Sequence, residues 1–255
     1  MTSRELPPQT EFLGLPFSRL TLAQSVRAIA DRSDEGFAYV VTPNAPHVVT
    51  VHRQPELLFP IYRGAWLSLC DSQVVRRLAA LRRLSLPLVT GSGLVAALLA
   101  EQDAPSPPGG RKRILVFGPD QETEQALRAR YPRIDIEVLP GPMGLAKSAP
   151  LRAEAARACM ARRWDILLLC VGCPQQELIA DELKRQGCQK GVALCVGASI
   201  DFVVGHSVRA PKIFGMLGLE WAFRLMLEPR RLWRRYLVDA PQVLRIFLGG
   251  TIARS

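Results

Sequence analysis

Apolar runs of strand length alternate along this chain with segments whose apolar residues recur at helical spacing. The strand candidates are 37–42, 65–70, 113–118, 134–139, 165–172 and 192–199. Several are apolar throughout, which is typical of parallel strands buried on both faces. The helical candidates are 21–32, 45–52, 55–63, 72–84, 92–101, 121–131, 151–163 and 175–186. This alternation predicts a Rossmann-like α/β fold, in which an open parallel sheet carries helices on both faces.

Composition divides the chain into a compact domain and a tail. We expect residues 1–205 to form the α/β domain, with the Pro/Gly-rich segment 104–112 as an internal linker. Residues 206–255 form a basic amphipathic appendage. No GxGxxG motif follows the first strand and no P-loop is present, so the sequence does not support a dinucleotide-binding protein or an ATP motor.

The appendage alternates large apolar residues with arginines at helical spacing, and Pro229 stands where a helix would begin again. Such a segment suits an anionic membrane surface, or it clamps an anionic substrate such as a diphosphate. A helix packed on the domain with a solvated basic rim fits the pattern equally well. The hydrophobic pattern leaves these three interpretations open.

The charge distribution narrows the choice of partner. The chain has 33 Lys+Arg against 23 Asp+Glu, a formal charge of +10. From residue 209 onward, nine basic residues face three acidic ones. Because no DNA- or RNA-binding motif accompanies this excess, we expect no nucleic-acid partner and favour an anionic lipid surface or a lipid-linked phosphate.

Three further features indicate a reduced, cytoplasmic protein that touches the membrane from inside. The first residues have no apolar core and are not a signal peptide, and no charge-free run reaches transmembrane length. The six cysteines include Cys170 and Cys173 at zinc-like spacing, but no second pair completes a ligand set. We therefore expect buried thiols, no metal and no cofactor.

Polar residues follow several predicted strands, where Rossmann-like sheets bind their ligands. Thr42 and Asn44 follow the first strand and could bind sugar hydroxyls or a phosphate, or cap a helix. Asp71 follows the second predicted strand. Partial desolvation at that position would raise the pKa of Asp71 and make it a usable base. Alternatively, Asp71 could cap the helix that begins at Gln73. Gln176 follows a later strand and could hold a nucleotide or sugar, or be a first-turn residue favoured by the helix dipole. Asp201 follows the last strand and could bind a ribose diol.

Three blocks carry a family resemblance. GCPQQE (172–177), VGASIDFVVGHSVRAP (196–211) and GLEWAFRLMLEPRRLWRRYL (218–237) match the WecG/TagA/CpsF glycosyltransferases in order and spacing. The resemblance runs from about residue 11 to 248. It implies inverting, metal-independent transfer of a sugar from a UDP-sugar to a polyprenyl-diphosphate-linked saccharide, at the inner face of the cytoplasmic membrane, in cell-surface polysaccharide synthesis.

The resemblance also implies roles for individual residues. Asp71 matches the base, and Thr42 and Asn44 match contacts to acceptor and donor. Gln176 matches a loop glutamine, and Asp201 matches an acid on the nucleotide side. The arginines of the appendage would stabilise the leaving diphosphate in place of a metal; they are Arg224, Arg231 and Arg234. The sequence leaves a homo-oligomer open.

The chain departs from the family pattern at two sites. Ser72 follows Asp71 where the family usually has Gly, and residues 88–94 read LVTGSGL where the family usually has Arg-Val-x-Gly-x-Asp-Leu. The Arg and the Asp are therefore missing, at Leu88 and Gly93. These losses support the alternative function, a non-catalytic, membrane-associated nucleotide-sugar-binding or scaffold protein of a polysaccharide assembly complex.

Overall fold

A six-stranded parallel sheet forms the centre of the molecule. The structure is a computed structural model, and it describes residues 7–32, 35–205, 226 and 241–249. The strands are β1 (Gln9–Phe12), β2 (Leu15–Ser18), β3 (Ala38–Val41), β4 (Leu67–Ser68), β5 (Ile114–Gly118), β6 (Ile136–Pro140), β7 (Ile166–Leu169) and β8 (Val192–Cys195). Six of these strands, β3 to β8, form the parallel sheet, and they lie in it in the order β4-β3-β8-β7-β5-β6. Each of these six coincides with a predicted strand, so the parallel sheet is confirmed.

Helices cover both faces of the sheet. The ten described helices are α1 (Leu22–Arg32), α2 (Ala45–Arg53), α3 (Pro55–Arg63), α4 (Gln73–Leu81), α5 (Gly91–Gln102), α6 (Gln121–Arg130), α7 (Ala149–Met160), α8 (Gln175–Arg185), α9 (Ser199–Val204) and α10 (Gln242–Phe247). One face packs against α2, α3, α4, α7, α8 and α10. The other packs against α1, α5, α6 and α9. This arrangement confirms the Rossmann-like α/β class.

The strand sequences explain the two layers. Successive side chains of a strand point to opposite faces. In β7, Leu167 and Leu169 join the core under α7 and α8, whereas Ile166 and Leu168 join the core under α5 and α9. All four are fully buried, so a continuous apolar run is what this strand requires.

A β-hairpin precedes the sheet, and the sequence pattern did not predict it. Strands β1 and β2 pair antiparallel around Leu13 and Gly14, which both have positive φ, 52° and 76°. Two successive residues of positive φ give the strand twist that a two-residue hairpin needs. A Cβ atom at Gly14 would lie 3.0 Å from the Phe59 ring, so the positive φ and this close approach both favour glycine.

The segment 104–112 joins α5 to β5, and strands from both sides of it lie in the same sheet. The Arg111 guanidinium donates hydrogen bonds to the carbonyl oxygens of Gln102, Ala104 and Arg133. The buried Gln102 side chain accepts from the Lys112 backbone N–H at 2.9 Å. Side-chain contacts therefore hold this predicted linker against its neighbours.

Part of the predicted appendage packs on the α/β core. In α10, Val243 and Ile246 are buried in the face that also holds α2. Phe247 makes an edge-to-face contact with Phe12 of the hairpin, with ring centroids 6.2 Å apart. Among the residues that the structure describes, no helix is long and apolar enough to cross a membrane.

Candidate active site

Several loops meet at the carboxyl edge of the sheet, around the ends of β3, β8 and β7. The Thr42 hydroxyl, after β3, donates to the Cys195 carbonyl of β8 at 2.8 Å. The Gly197 N–H, after β8, donates to Gln176 Oε1 at 2.8 Å. The Asp71 N–H, after β4, donates to the Pro43 carbonyl at 3.1 Å. The structure thus brings the loops of Thr42, Asp71 and Gln176 to one edge, where parallel sheets bind ligands.

Thr42 and Asn44 already have structural hydrogen bonds. Thr42 is 2% exposed, and its hydroxyl proton is directed into the β3–β8 contact. Asn44 caps α2, because its Oδ1 accepts from the His47 N–H at 3.2 Å. Asn44 is half-buried, and its Nδ2 donates no hydrogen bond to a described residue. A ligand could therefore use the Asn44 amide hydrogens while the cap stays in place.

The residue that caps α4 is Ser72 and not Asp71. Ser72 is the N-cap of α4, and its Oγ accepts from the Val75 N–H at 3.2 Å. The capping role considered for Asp71 therefore belongs to its neighbour. Asp71 is half-buried at the end of the strand β4. The residue that replaces the family's glycine thus performs the structural task, and the Asp71 carboxylate is not needed for it.

The start of α5 is packed closely against the ends of β3 and β8. A Cβ atom at Gly91 would lie 2.9 Å from Ser199 Oγ and 3.6 Å from Thr42 Oγ1. Thr90 caps the helix, with its hydroxyl accepting from the Gly93 N–H at 3.1 Å. A Cβ atom at Gly93 would lie 2.8 Å from Thr90 Oγ1, so a side chain there would require a small shift of that hydroxyl. Because a Thr N-cap followed three residues later by an acidic residue is a capping box, the Thr90 cap is compatible with either Gly or Asp at position 93.

Asp201 lies on a helix, whereas the sequence placed it in the loop after a strand. The predicted strand 192–199 ends at Cys195, and α9 begins at Ser199, so Asp201 is in its first turn. The side chain is half-buried there. Burial raises the pKa of the Cys170 thiol, and the nearby Asp201 charge raises it further. Asp201 therefore lies close to the end of β7.

Gln176 links two loops of the site. It is 1% exposed, and its Nε2 donates to Glu177 Oε1 at 2.9 Å while its Oε1 accepts from Gly197. Both ends of the amide are therefore engaged within the protein. In this arrangement Gln176 fixes the position of the Gly197 loop, and a substrate contact would have to share its oxygen or its second amide hydrogen.

A buried polar group beneath the edge was not predicted as a site. Glu177 is fully buried, and burial raises its pKa. The Tyr62 hydroxyl donates to Glu177 Oε1 at 3.2 Å and lies 3.8 Å from Cys173 Sγ. His47 completes the group. GCPQQE contains two of these residues, but no spacing in the sequence connects it to Tyr62 and His47, because the fold alone brings α2 and α3 to α8.

The three appendage arginines of the predicted site, Arg224, Arg231 and Arg234, lie outside the described residues. Their roles stay predictions. The same holds for most of the appendage, of which Met226 and α10 are described.

The comparison with protein families gives a match over almost the full length of the chain. The family model described as Glycosyl transferase WecG/TagA/CpsF matches residues 10–255. That match covers nearly the whole chain, including the loops that carry Thr42, Asp71, Gln176 and Asp201. The chain therefore belongs to the WecG/TagA/CpsF glycosyltransferase family.

Proposed function

We propose that the protein is an inverting glycosyltransferase that moves a sugar from a UDP-sugar to a polyprenyl-diphosphate-linked saccharide. The observation that carries the proposal is Asp71 at the carboxyl edge, beside the loop of Thr42 and Asn44, in a chain of this family. The product would enter a cell-surface polysaccharide such as an exopolysaccharide.

Asp71 would act as the base. Inversion in one displacement needs a base to take the proton of the acceptor hydroxyl while that oxygen attacks the anomeric carbon, and a carboxylate can be that base. The bond from the anomeric carbon to the UDP oxygen breaks in the same step. Asp71 suits this role because it is half-buried and because Ser72 caps the helix in its place. Asn44 and Asp201 would hold the two sugars or the ribose.

The leaving UDP carries the charge that the site must stabilise. We assign this task to Arg224, Arg231 and Arg234, because the guanidinium fork binds diphosphate oxygens in pairs. These contacts would replace a divalent cation at the diphosphate. The remaining basic residues of 206–255 would bind anionic lipid headgroups and keep the protein on the inner face of the cytoplasmic membrane.

A donor screen tests the proposal. The full-length protein is incubated with a panel of UDP-sugars and a polyprenyl-diphosphate-linked sugar, and released UDP is measured. The proposal predicts acceptor-dependent UDP release with at least one donor. The alternative, a non-catalytic nucleotide-sugar-binding or scaffold protein, predicts that donors bind without turnover across the panel. Binding is measured separately by calorimetry, so the two functions give different results.

A further inference from the structure

We propose that His47, Cys173 and Glu177 bind a divalent transition-metal ion, with zinc the best match to their donor atoms. One ligand atom from each residue lies within 4.8 Å of the other two. His47 is in the first turn of α2, Cys173 in the turn after β7, and Glu177 in the first turn of α8. The site is separate from the diphosphate, for which arginines were proposed, and does not depend on glycosyl transfer.

The donor set and the spacing both suit zinc. Imidazole nitrogen, thiolate sulfur and carboxylate oxygen are its usual protein ligands, at about 2.0–2.3 Å. Tetrahedral geometry with such bonds places neighbouring ligand atoms ~3.5 Å apart. Small side-chain rotations would close the observed separations of up to 4.8 Å to that value. Three protein ligands leave the fourth position for a water molecule.

The Glu177 carboxylate gives independent support. It is 0% exposed, and its Oε1 accepts hydrogen bonds from Gln176 and Tyr62. Its Oε2 is buried with no N–H or O–H donor of a described residue beside it, and the Cys173 thiol is the neighbouring group that interacts with the carboxylate. An unsatisfied buried carboxylate oxygen is costly. A cation at Oε2 would satisfy it, while Gln176 and Tyr62 hold the carboxylate in the required orientation, as partners of metal ligands do.

The charges also balance. A thiolate from Cys173 and a carboxylate from Glu177 carry two negative charges, which a divalent ion neutralises. Because a metal ion binds thiol, imidazole and carboxyl groups in their deprotonated forms, affinity should fall as the pH is lowered.

The ion would hold the floor of the candidate active site. The His47 N–H donates to Asn44 Oδ1, and Glu177 accepts from Gln176, which in turn holds Gly197. A bond network through one ion would thus connect the loops after β3, β7 and β8. In the sequence, Cys170 and Cys173 have the spacing of a zinc-ligand pair, but no second pair accompanies them. In the fold, His47 of α2 and Glu177 of α8 lie beside Cys173 instead.

The test uses full-length protein whose affinity tag has been removed, because a histidine tag binds zinc itself. The protein is stripped with a chelator and titrated with Zn²⁺ or Co²⁺. We expect about one ion per chain, and a cobalt spectrum with intense tetrahedral bands and a thiolate charge-transfer band. Cys173→Ser should abolish the charge-transfer band, and His47→Gln should weaken binding by at least about ten-fold.

Two matched controls separate this site from general thiol and imidazole binding. Cys188→Ser should leave the cobalt spectrum unchanged, because Cys188 is half-buried elsewhere. His52→Gln, on the same helix as His47, should do likewise, since His52 contacts the Leu13 carbonyl. If Cys173→Ser fails to fold, zinc in the wild type should still slow alkylation of Cys173 but not of Cys188. Sub-stoichiometric binding, a cobalt spectrum without a thiolate band, or unprotected Cys173 would overturn the proposal.

Discussion

The polar residues at the carboxyl edge form two groups that differ in solvent contact. The first group, Asn44, Asp71 and Asp201, is half-buried and opens towards solvent. The second group, Tyr62, Gln176 and Glu177, is no more than 1% exposed and is hydrogen-bonded internally. The open group can meet a substrate, whereas the sealed group holds the loops that present it. Asp71 of the first group and Gln176 of the second both follow strands, so position in the sequence did not distinguish the two groups.

The largest effect should come from the open group. Asp71→Asn keeps the shape of the side chain but removes the base, so turnover should fall about 10²–10⁴-fold. Thermal stability and donor binding should stay close to wild type, because Ser72 caps α4. Turnover is measured as UDP release under saturating donor. A near-normal rate would place Asp71 outside the chemistry and weaken the distinction between the two groups.

Substitutions of the appendage arginines test whether catalysis by the open group also requires cations that stabilise the leaving diphosphate. On a continuous helix, Arg224 and Arg231 would fall on one side, whereas Arg230 would point about 100° away from Arg231. Arg231→Ala should lower turnover about 10²-fold with a water-soluble acceptor, as loss of a charge-stabilising donor does. Arg230→Ala should affect only binding to anionic liposomes, by about 1 kcal/mol, and less as salt rises.

Equal behaviour of the two arginine variants with the soluble acceptor would show a diffuse charge patch. Point substitutions are preferable to removal of the whole appendage. Truncation before α10 would expose the apolar surface that Val243 and Ile246 cover, and would therefore confuse lipid binding with loss of packing.

The sealed group should show its effect in the pH dependence of stability. Glu177 has a folded pKa raised by burial above its ordinary value of 4.5, so the metal-free folded state holds its proton more tightly than the unfolded state. The contribution of this group to stability is therefore full below that value and is lost as pH rises through the folded pKa. Glu177→Gln should flatten this decline, measured by urea unfolding of chelator-treated protein across the acid range.

An unchanged slope in Glu177→Gln would mean that the carboxylate is not the titrating group. Asp181→Asn is a suitable comparison, because burial also raises the pKa of Asp181 but that carboxylate lies later on α8, beside Lys184 and Arg185.

The smallest effect concerns Ser72. Ser72→Ala removes the N-cap of α4 and should cost about 1 kcal/mol of stability. Turnover at a temperature well below unfolding should not change. The variants Asp71→Asn and Ser72→Ala change adjacent residues, and we expect the first to lower the turnover rate and the second to lower stability. Loss of turnover in Ser72→Ala, without loss of structure, would show that the two residues act together.

Much of the fold followed from the sequence because its strands are continuous apolar runs. Runs such as 113–118 and 165–172 are buried on both faces, and the helices between them have clear caps, including Asp120 and Ser148. The hairpin at 9–18 was missed because its four-residue strands are short and only Phe12 of β1 is buried. The helix α9 was missed because an apolar run continued into it.

The candidate site was less accessible to sequence reasoning. Motif spacing gave Asp71, but it could not decide between a base and a cap, since Asp71 and Ser72 both suit the cap position. The structure assigns the cap to Ser72, and the role of Asp71 as base stays a prediction. Likewise, Tyr62 and His47 reach Glu177 only because α2, α3 and α8 pack on the same face of the sheet. No local pattern records a contact between residues so distant in the chain.

The stereochemistry of the product tests the central claim most directly. An α-configured UDP-sugar is converted with the polyprenyl-linked acceptor, and the new linkage is assigned by proton NMR. A single displacement assisted by Asp71 predicts a β-linked product from wild type, and only trace product from Asp71→Asn. An α-linked product, or intact donor across the whole panel of UDP-sugars, would contradict the account.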